Sequence, residues 1–379
     1  MAFKDLHKLK KIAEIEKEEI EINYLVLGND IFSLEIFSQL ETKYGTDKVR
    51  LLSEDKLIRH SLFVKGPSTI RGESNKKIFK HYFSSLECVD KNEPSLFFKD
   101  LTWKPFFGRS KSEALLHDEH YFTSGAISFD QESIFTFLTD EYLASVNERA
   151  YQVKVKSIDF ENEYYIVECI NGTIFKVRNL YFGKSPWQFV HLFKSKNKLN
   201  DQLIQACEST QASAAMFLKF CFSKPVTDEQ NTLFIPLSYT HDHGHFIGEF
   251  KKFSQGGVNG SIVEFLHYID VDQTSEEDVT KIIRQLKRSV EKIFDNIFKN
   301  NYQEFISIER DLGCLKIDDI LFQGSLSLLS NEHRKMVFIG KNAPINVDQL
   351  AQFKVEDSDG KVSQFARAYH VNQVTMQNL

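Results

Sequence analysis

The sequence predicts an α/β protein in which a discontinuous domain, built on a parallel βαβ unit, is joined to a second domain of mixed sheet plus helices. Three observations carry this. A strand, turn, helix and strand follow one another between residues 24 and 55, the size of a βαβ unit. β-rich segments between 153 and 183 enclose an Asn-Gly pair, the strongest short hairpin signal. A further series of strands from 216 to 268 leads into one long amphipathic helix and then a last short strand at 336–339.

The elements follow in order. Leu6, Leu9, Ile12, Ala13 and Ile20 stand at helical spacing among Lys and Glu, which predicts an N-terminal surface helix within 1–20. Tyr24-Leu25-Val26-Leu27 is an apolar run that stops at Gly28, and Leu34, Phe37 and Leu40 continue at helical spacing. Val49-Arg50-Leu51-Leu52 is a second strand, ending at Ser53-Glu54-Asp55, and a right-handed crossover makes the two strands parallel. Residues 60–125 are irregular and punctuated by Gly66-Pro67, Lys104-Pro105 and Gly108. Helices are expected over 75–86 and 131–144.

From Val153 the pattern turns to β. Val153, Val155 and Ile158 precede a strand over 164–169, the Asn171-Gly172 turn, a strand over 174–177 and a further short one at Leu180-Tyr181-Phe182-Gly183. Strands are expected over 216–222, 233–239, 245–250 and 261–268. Ser275 or Thr274 can cap the long helix, with Glu276, Glu277 and Asp278 in its positive first turn. Val279, Ile282, Ile283, Leu286, Val290, Ile293, Phe294 and Ile297 form its buried stripe. The strand at 336–339 ends at Gly340-Lys341. These elements divide into a discontinuous domain of 21–60, 124–187 and 332–379, and a second domain of 61–123 and 188–331.

Composition removes several classes. With 379 residues, 42% of them hydrophobic and 34 of them Phe, the chain has ample core, which excludes disorder and a small disulfide scaffold. Glycine is scarce: 17 stand where an average usage of ~7% would give about 27. The formal charge of −6 gives no sign of a nucleic-acid partner. Cys88, Cys169, Cys207, Cys221 and Cys314 are dispersed without a CxxC pair, as in reduced cytoplasmic proteins. The amino terminus lacks a secretory apolar region, and no apolar run reaches the ~18 residues of a membrane span. There is no nucleophile elbow and no phosphate-binding P-loop. His241-Asp242-His243-Gly244-His245 is dense in metal-type ligands, but they stand too close together to converge, so the segment is expected to be a turn and no metal is assigned. The glycine-rich 255–260 is expected to be a flexible loop joining two strands. Most Phe residues are core; Trp103 and Trp187 are candidates to face an apolar cleft.

In order and spacing, four of these segments resemble the FAD-dependent amine oxidase and protoporphyrinogen oxidase superfamily. They are the βαβ unit with Gly28, the strand from Val153 to Ile158, the hairpin around Asn171-Gly172 returning through Gly183 with Pro186 soon after, and the strand ending at Gly340-Lys341. The resemblance spans most of 20–379 and implies a Rossmann-like FAD/NAD(P)-binding domain with a substrate or cap domain. It implies that Gly28 makes the tight turn beside the dinucleotide, that Glu54 (or Asp55) binds the ribose, and that the backbone of Val155 lies against the adenine. With these residues, Ser33 and Gly340 would hold the dinucleotide.

The departures from the family pattern carry physical weight. The dinucleotide fingerprint G-x-G-x-x-G reads Gly28-Asn29-Asp30-Ile31-Phe32-Ser33. Asp30 puts a side chain and a negative charge where the backbone approaches the pyrophosphate, and it can itself cap the helix. Ser33 is small enough to keep helix and strand close. Lys341 replaces the family's aspartate and can meet a phosphate as a point charge. The family's twin-glycine segment is absent; Gly66 to Gly72 stands near its place, with Arg71 as a candidate for contacting an anion. Two functions follow from the resemblance. One is an FAD-dependent oxidoreductase acting on a small or apolar substrate. The other is a relative that keeps the fold as a binding or scaffold protein without flavin, partnered by a small molecule or a protein. No residue is assigned a catalytic role.

Overall fold

The computed structural model describes residues 18–54, 69–91, 95–106, 126–130, 133–134, 146, 150–199, 201, 204–205, 214–236, 245–255, 258–269, 271–295, 297–299, 301–309, 335–340, 343, 364–377 and 379. The chain begins with Glu19–Leu27 (β1), Ile31–Tyr44 (α1) and Val49–Ser53 (β2). Thr69–Arg71 (β3), Glu73–Tyr82 (α2), Cys88–Lys91 (β4), Leu96–Lys99 (β5), Thr102–Pro105 (β6), Ala126–Phe129 (β7) and Ala150–Gln152 (β8) come next. Val155–Glu161 (β9), Tyr164–Cys169 (β10) and Ile174–Phe182 (β11) form a meander before Pro186–Leu192 (α3). Ala214–Phe222 (β12), Leu233–Pro236 (β13), His245–Gln255 (β14) and Val258–Ile269 (β15) precede Glu276–Ile293 (α4) and Tyr302–Glu309 (β16). Lys335–Phe338 (β17) and Gln364–Gln377 (α5) are the last described elements.

The first sheet positions the site. β1 pairs in parallel with β2 on one side and with β11 on the other, and β2 pairs in parallel with β8. The far edge of β11 is shared: its first half takes β10 antiparallel, its second half takes β17 parallel. Five parallel strands therefore stand in the order β8-β2-β1-β11-β17. The chain leaves β1 in one direction and returns on the other, so the order reverses between β1 and β11. In open α/β sheets ligands bind outside the carboxyl ends of the strands at such a reversal. Leu25, Leu27, Leu180 and Phe182 are fully buried in the core of this sheet, as expected for parallel strands covered on both faces.

The second sheet has the order β16-β12-β15-β14-β13-β5-β6. Along α4 the buried residues Val279, Ile282, Leu286 and Val290 pack with Leu218, Phe220, Phe250, Val263 and Phe265 of this sheet. Ser275 caps α4 by accepting a hydrogen bond from the Asp278 amide. The third sheet, β3-β7-β4, shares a core with α1, α2 and α5 through Phe32, Phe79, Phe129 and Ala368.

The helical spacing predicts a helix as far as residue 20, but Glu19 and Ile20 belong to β1, where they pair with Ile174 and Phe175 and extend the sheet; residues 1–17 lie outside the described residues. The strand at Leu180 is not separate but the end of a continuous β11. Ser254 and Asn259 are strand residues of β14 and β15 facing each other, so the expected loop over 255–260 is shorter, with 256–257 outside the described residues. The helix at 75–86 runs from Glu73 to Tyr82. The long helix ends at Ile293, and Ile297 opens a separate short turn. Strand β16 carried no signal strong enough to be expected. Helix 131–144 lies largely outside the described residues, as do 237–239 and 241–244.

Candidate nucleotide-binding site

Gly28 ends β1 and Gly183 ends β11, side by side at the reversal point. The Gly28 amide donates to the Leu52 carbonyl at 3.0 Å, and the Gly183 amide to the Leu27 carbonyl at 2.7 Å. A Cβ on Gly28 would stand 2.2 Å from Ser33 Oγ and 3.5 Å from Gly183 Cα; one on Gly183 would stand 2.4 Å from the same Oγ. The Ser33 hydroxyl thus fills the space left by two absent side chains. It is buried and has no hydrogen-bond partner among the described residues. The close helix–strand approach that a third fingerprint glycine ordinarily allows is kept here by Gly183, on a different strand. The sequence marks Gly183 only as the end of the hairpin's return strand, because its partner Ser33 is distant in the chain.

Asp30 is the N-cap of α1, with extended backbone at φ −90°. Its Oδ1 accepts a hydrogen bond from the Ser33 amide at 2.8 Å, and the residue is only 7% exposed. Oδ2 faces Gly340, which follows β17: a Cβ on Gly340 would stand 3.2 Å from it. Gly340 has φ +74°, a conformation that favours glycine. The first and last motifs of the sequence therefore meet at one carboxylate. Lys341 lies outside the described residues.

Glu54 lies just past the end of β2. Its Oε1 accepts a hydrogen bond from the Val155 amide at 3.2 Å, and its Oε2 forms an ion pair with Lys184, which sequence reading did not single out. The residues expected at the ribose and the adenine are thus brought together. Nearby, burial, reinforced by the charges of Glu54 and Glu168, pushes the Cys169 thiol up to about 11, which leaves it protonated and unreactive near neutral pH.

Arg71 is not an open anion contact. It is buried, donates to Thr232 Oγ1 at 2.6 Å, and its lowered pKa reflects burial opposed by the Glu249 charge. Glu249 in turn accepts hydrogen bonds from Thr69 at 2.5 Å and Thr232 at 3.1 Å. This network ties β3 to the second sheet. Trp103 packs against Phe98 and Phe294, while Trp187 is 40% exposed and stacks on His191. Among the described residues no group of His, Cys, Asp and Glu could hold a metal ion, and no helix is long and apolar enough to cross a membrane.

No family model matches the sequence, and no curated protein matches it. Solved structures do. An oxidoreductase from Methanosarcina mazei superimposes at TM-score 0.57 with 10% identity, over 94% of this chain and 100% of that one. Putrescine oxidase bound to putrescine gives 0.57 and 9%, over 95% and 99%. Cyclohexylamine oxidase from Brevibacterium oxydans gives 0.55 and 10%, over 94% and 100%. The chain shares the fold of these oxidoreductases.

The side-chain-free pair Gly28 and Gly183 leaves backbone open at the strand ends, with the Glu54 carboxylate and the backbone of Val155 beside it, and these groups fit a dinucleotide. The buried carboxylate of Asp30 at the start of α1 does not fit an anionic one.

Proposed function

We propose that the chain is an FAD-dependent oxidoreductase of the amine oxidase type, acting on a small or apolar substrate. One observation carries the reading: Gly28, Glu54, Gly183 and Gly340 converge at the carboxyl ends of adjacent parallel strands around the order reversal, where such a fold binds its ligand. The flavin, when bound, supplies the redox chemistry. In this reading the two glycines let backbone approach the ligand. Glu54 offers its carboxylate to ribose hydroxyls in place of the Lys184 ammonium. The backbone of Val155 lies along the adenine, and Gly340 gives room beside Asp30 at the start of α1.

A second reading is favoured by the capping carboxylate of Asp30. In it the chain keeps the fold as a binding or scaffold protein without flavin. The absorbance spectrum of the purified protein, before and after addition of FAD, separates the two. A flavin band that stays with the protein through gel filtration supports the first. No retained band, together with no thermal shift at FAD concentrations far above ordinary dissociation constants, rejects it.

A further inference from the structure

We propose that Asp30 is a built-in anion, whose carboxylate occupies the start of α1 and competes there with the pyrophosphate of any incoming dinucleotide. The proposal takes the location of the ligand from the flavin reading and adds to it a control of affinity. The start of a helix presents unpaired amides and the positive end of the helix dipole, which is why phosphates settle there. Here the Ser33 amide is already committed to Asp30 Oδ1 at 2.8 Å. The other oxygen is turned to the end of β17, where the missing Cβ of Gly340 leaves it room at 3.2 Å. The carboxylate is thus held from two sides, by α1 and by the last strand of the sheet, and is almost wholly buried. A pyrophosphate at the same place meets a like charge and finds this amide taken. Lys184, just past the end of β11, is paired with Glu54.

The competition is confined to the phosphates, and that makes it testable. Binding of FAD, ADP and adenosine is measured by thermal shift and equilibrium dialysis for the natural chain, Asp30→Gly and Asp30→Asn. A glycine cap costs the helix only about a few tenths of a kcal/mol relative to Asp, so the variant folds. Asp30→Gly is expected to bind FAD and ADP more tightly by on the order of ten-fold or more, a modest part of what two like charges about 4 Å apart impose near a protein surface. Asp30→Asn, which keeps the cap and loses the charge, is expected to gain less. Adenosine binding stays the same in all three.

Equal FAD and ADP affinity in the natural chain and Asp30→Gly overturns the proposal and leaves the flavin reading standing. An equal gain for adenosine also overturns it, because the effect is then not at the phosphates. No response to FAD or ADP from any of the three proteins overturns both the proposal and the flavin reading. Binding in Asp30→Gly alone supports the proposal and retires the flavin reading of the natural chain in favour of the second.

Discussion

Ser33 stands where the dinucleotide fingerprint has its third glycine, and its hydroxyl rests against the backbones of Gly28 and Gly183. The cost of a side chain at one corner is met by the absence of side chains at the other two. Gly28→Ala would drive a methyl to within 2.2 Å of Ser33 Oγ and 2.9 Å of Ser33 Cβ, distances that force a shift. Overpacking of this kind costs about 1–3 kcal/mol. Because Ser33 supplies both short contacts, adding Ser33→Gly should restore most of the loss, and a double-mutant cycle by urea unfolding measures it. A full loss retained in the double variant would mean that the turn itself, not Ser33, demands glycine. The small side chain of Ser33 is legible in the fingerprint; the room that Gly183 makes for it is not, because the two are 150 residues apart.

At the scale of elements, the β9–β10–β11 meander shows which turns announce themselves. The Asn171-Gly172 turn was legible because Gly172 has φ +91°, the conformation glycine supplies. The β9–β10 turn uses Asn162 and Glu163, both at positive φ, and without a glycine it left no comparable mark. On the same meander Glu168 lies between Lys156 at 2.7 Å and Lys194 at 2.6 Å. Hydrogen bonds from these two lysines hold its carboxyl at about 2, below the ordinary 4.5. A depressed folded-state pKa stabilises the fold above the unfolded value, and that contribution is lost as pH falls from about 4.5 toward about 2. Glu168→Gln should therefore flatten the decline of the urea midpoint across that window, with little further change above it. An unchanged acid limb in the variant would show that the lysines do not stabilise this carboxylate relative to the unfolded chain.

Across the whole molecule, the sheets are joined through buried polar groups as well as apolar ones. Arg71 at the end of β3, Thr232 just before β13 and Glu249 in β14 form one network. Removing one member of a buried charge pair leaves the other uncompensated, at about 3–5 kcal/mol. Arg71→Met is expected to destabilise by that order in chemical denaturation, and Glu249→Gln on the same background to recover part of it. Independent, additive losses would mean that the two charges do not act as a pair. Sequence position made Arg71 a candidate for an external anion. The fold supplies an internal one instead.

By itself the sequence determined the local units: the strand–helix–strand around Gly28, the Asn-Gly hairpin, the capped helix on the second sheet, and the order of motifs that matches the amine oxidase-type fold. These follow from periodicity, turn chemistry and capping, which act between residues near in the chain. Only the tertiary structure decided what the motifs do to one another. Glu54 meets the Val155 amide across 101 residues of chain, Ser33 lies against Gly183, and Gly340 closes on Asp30. The physical reason is that sterics and charge at a strand-order reversal depend on which strand ends become neighbours. That is a property of the sheet, not of any one of its strands.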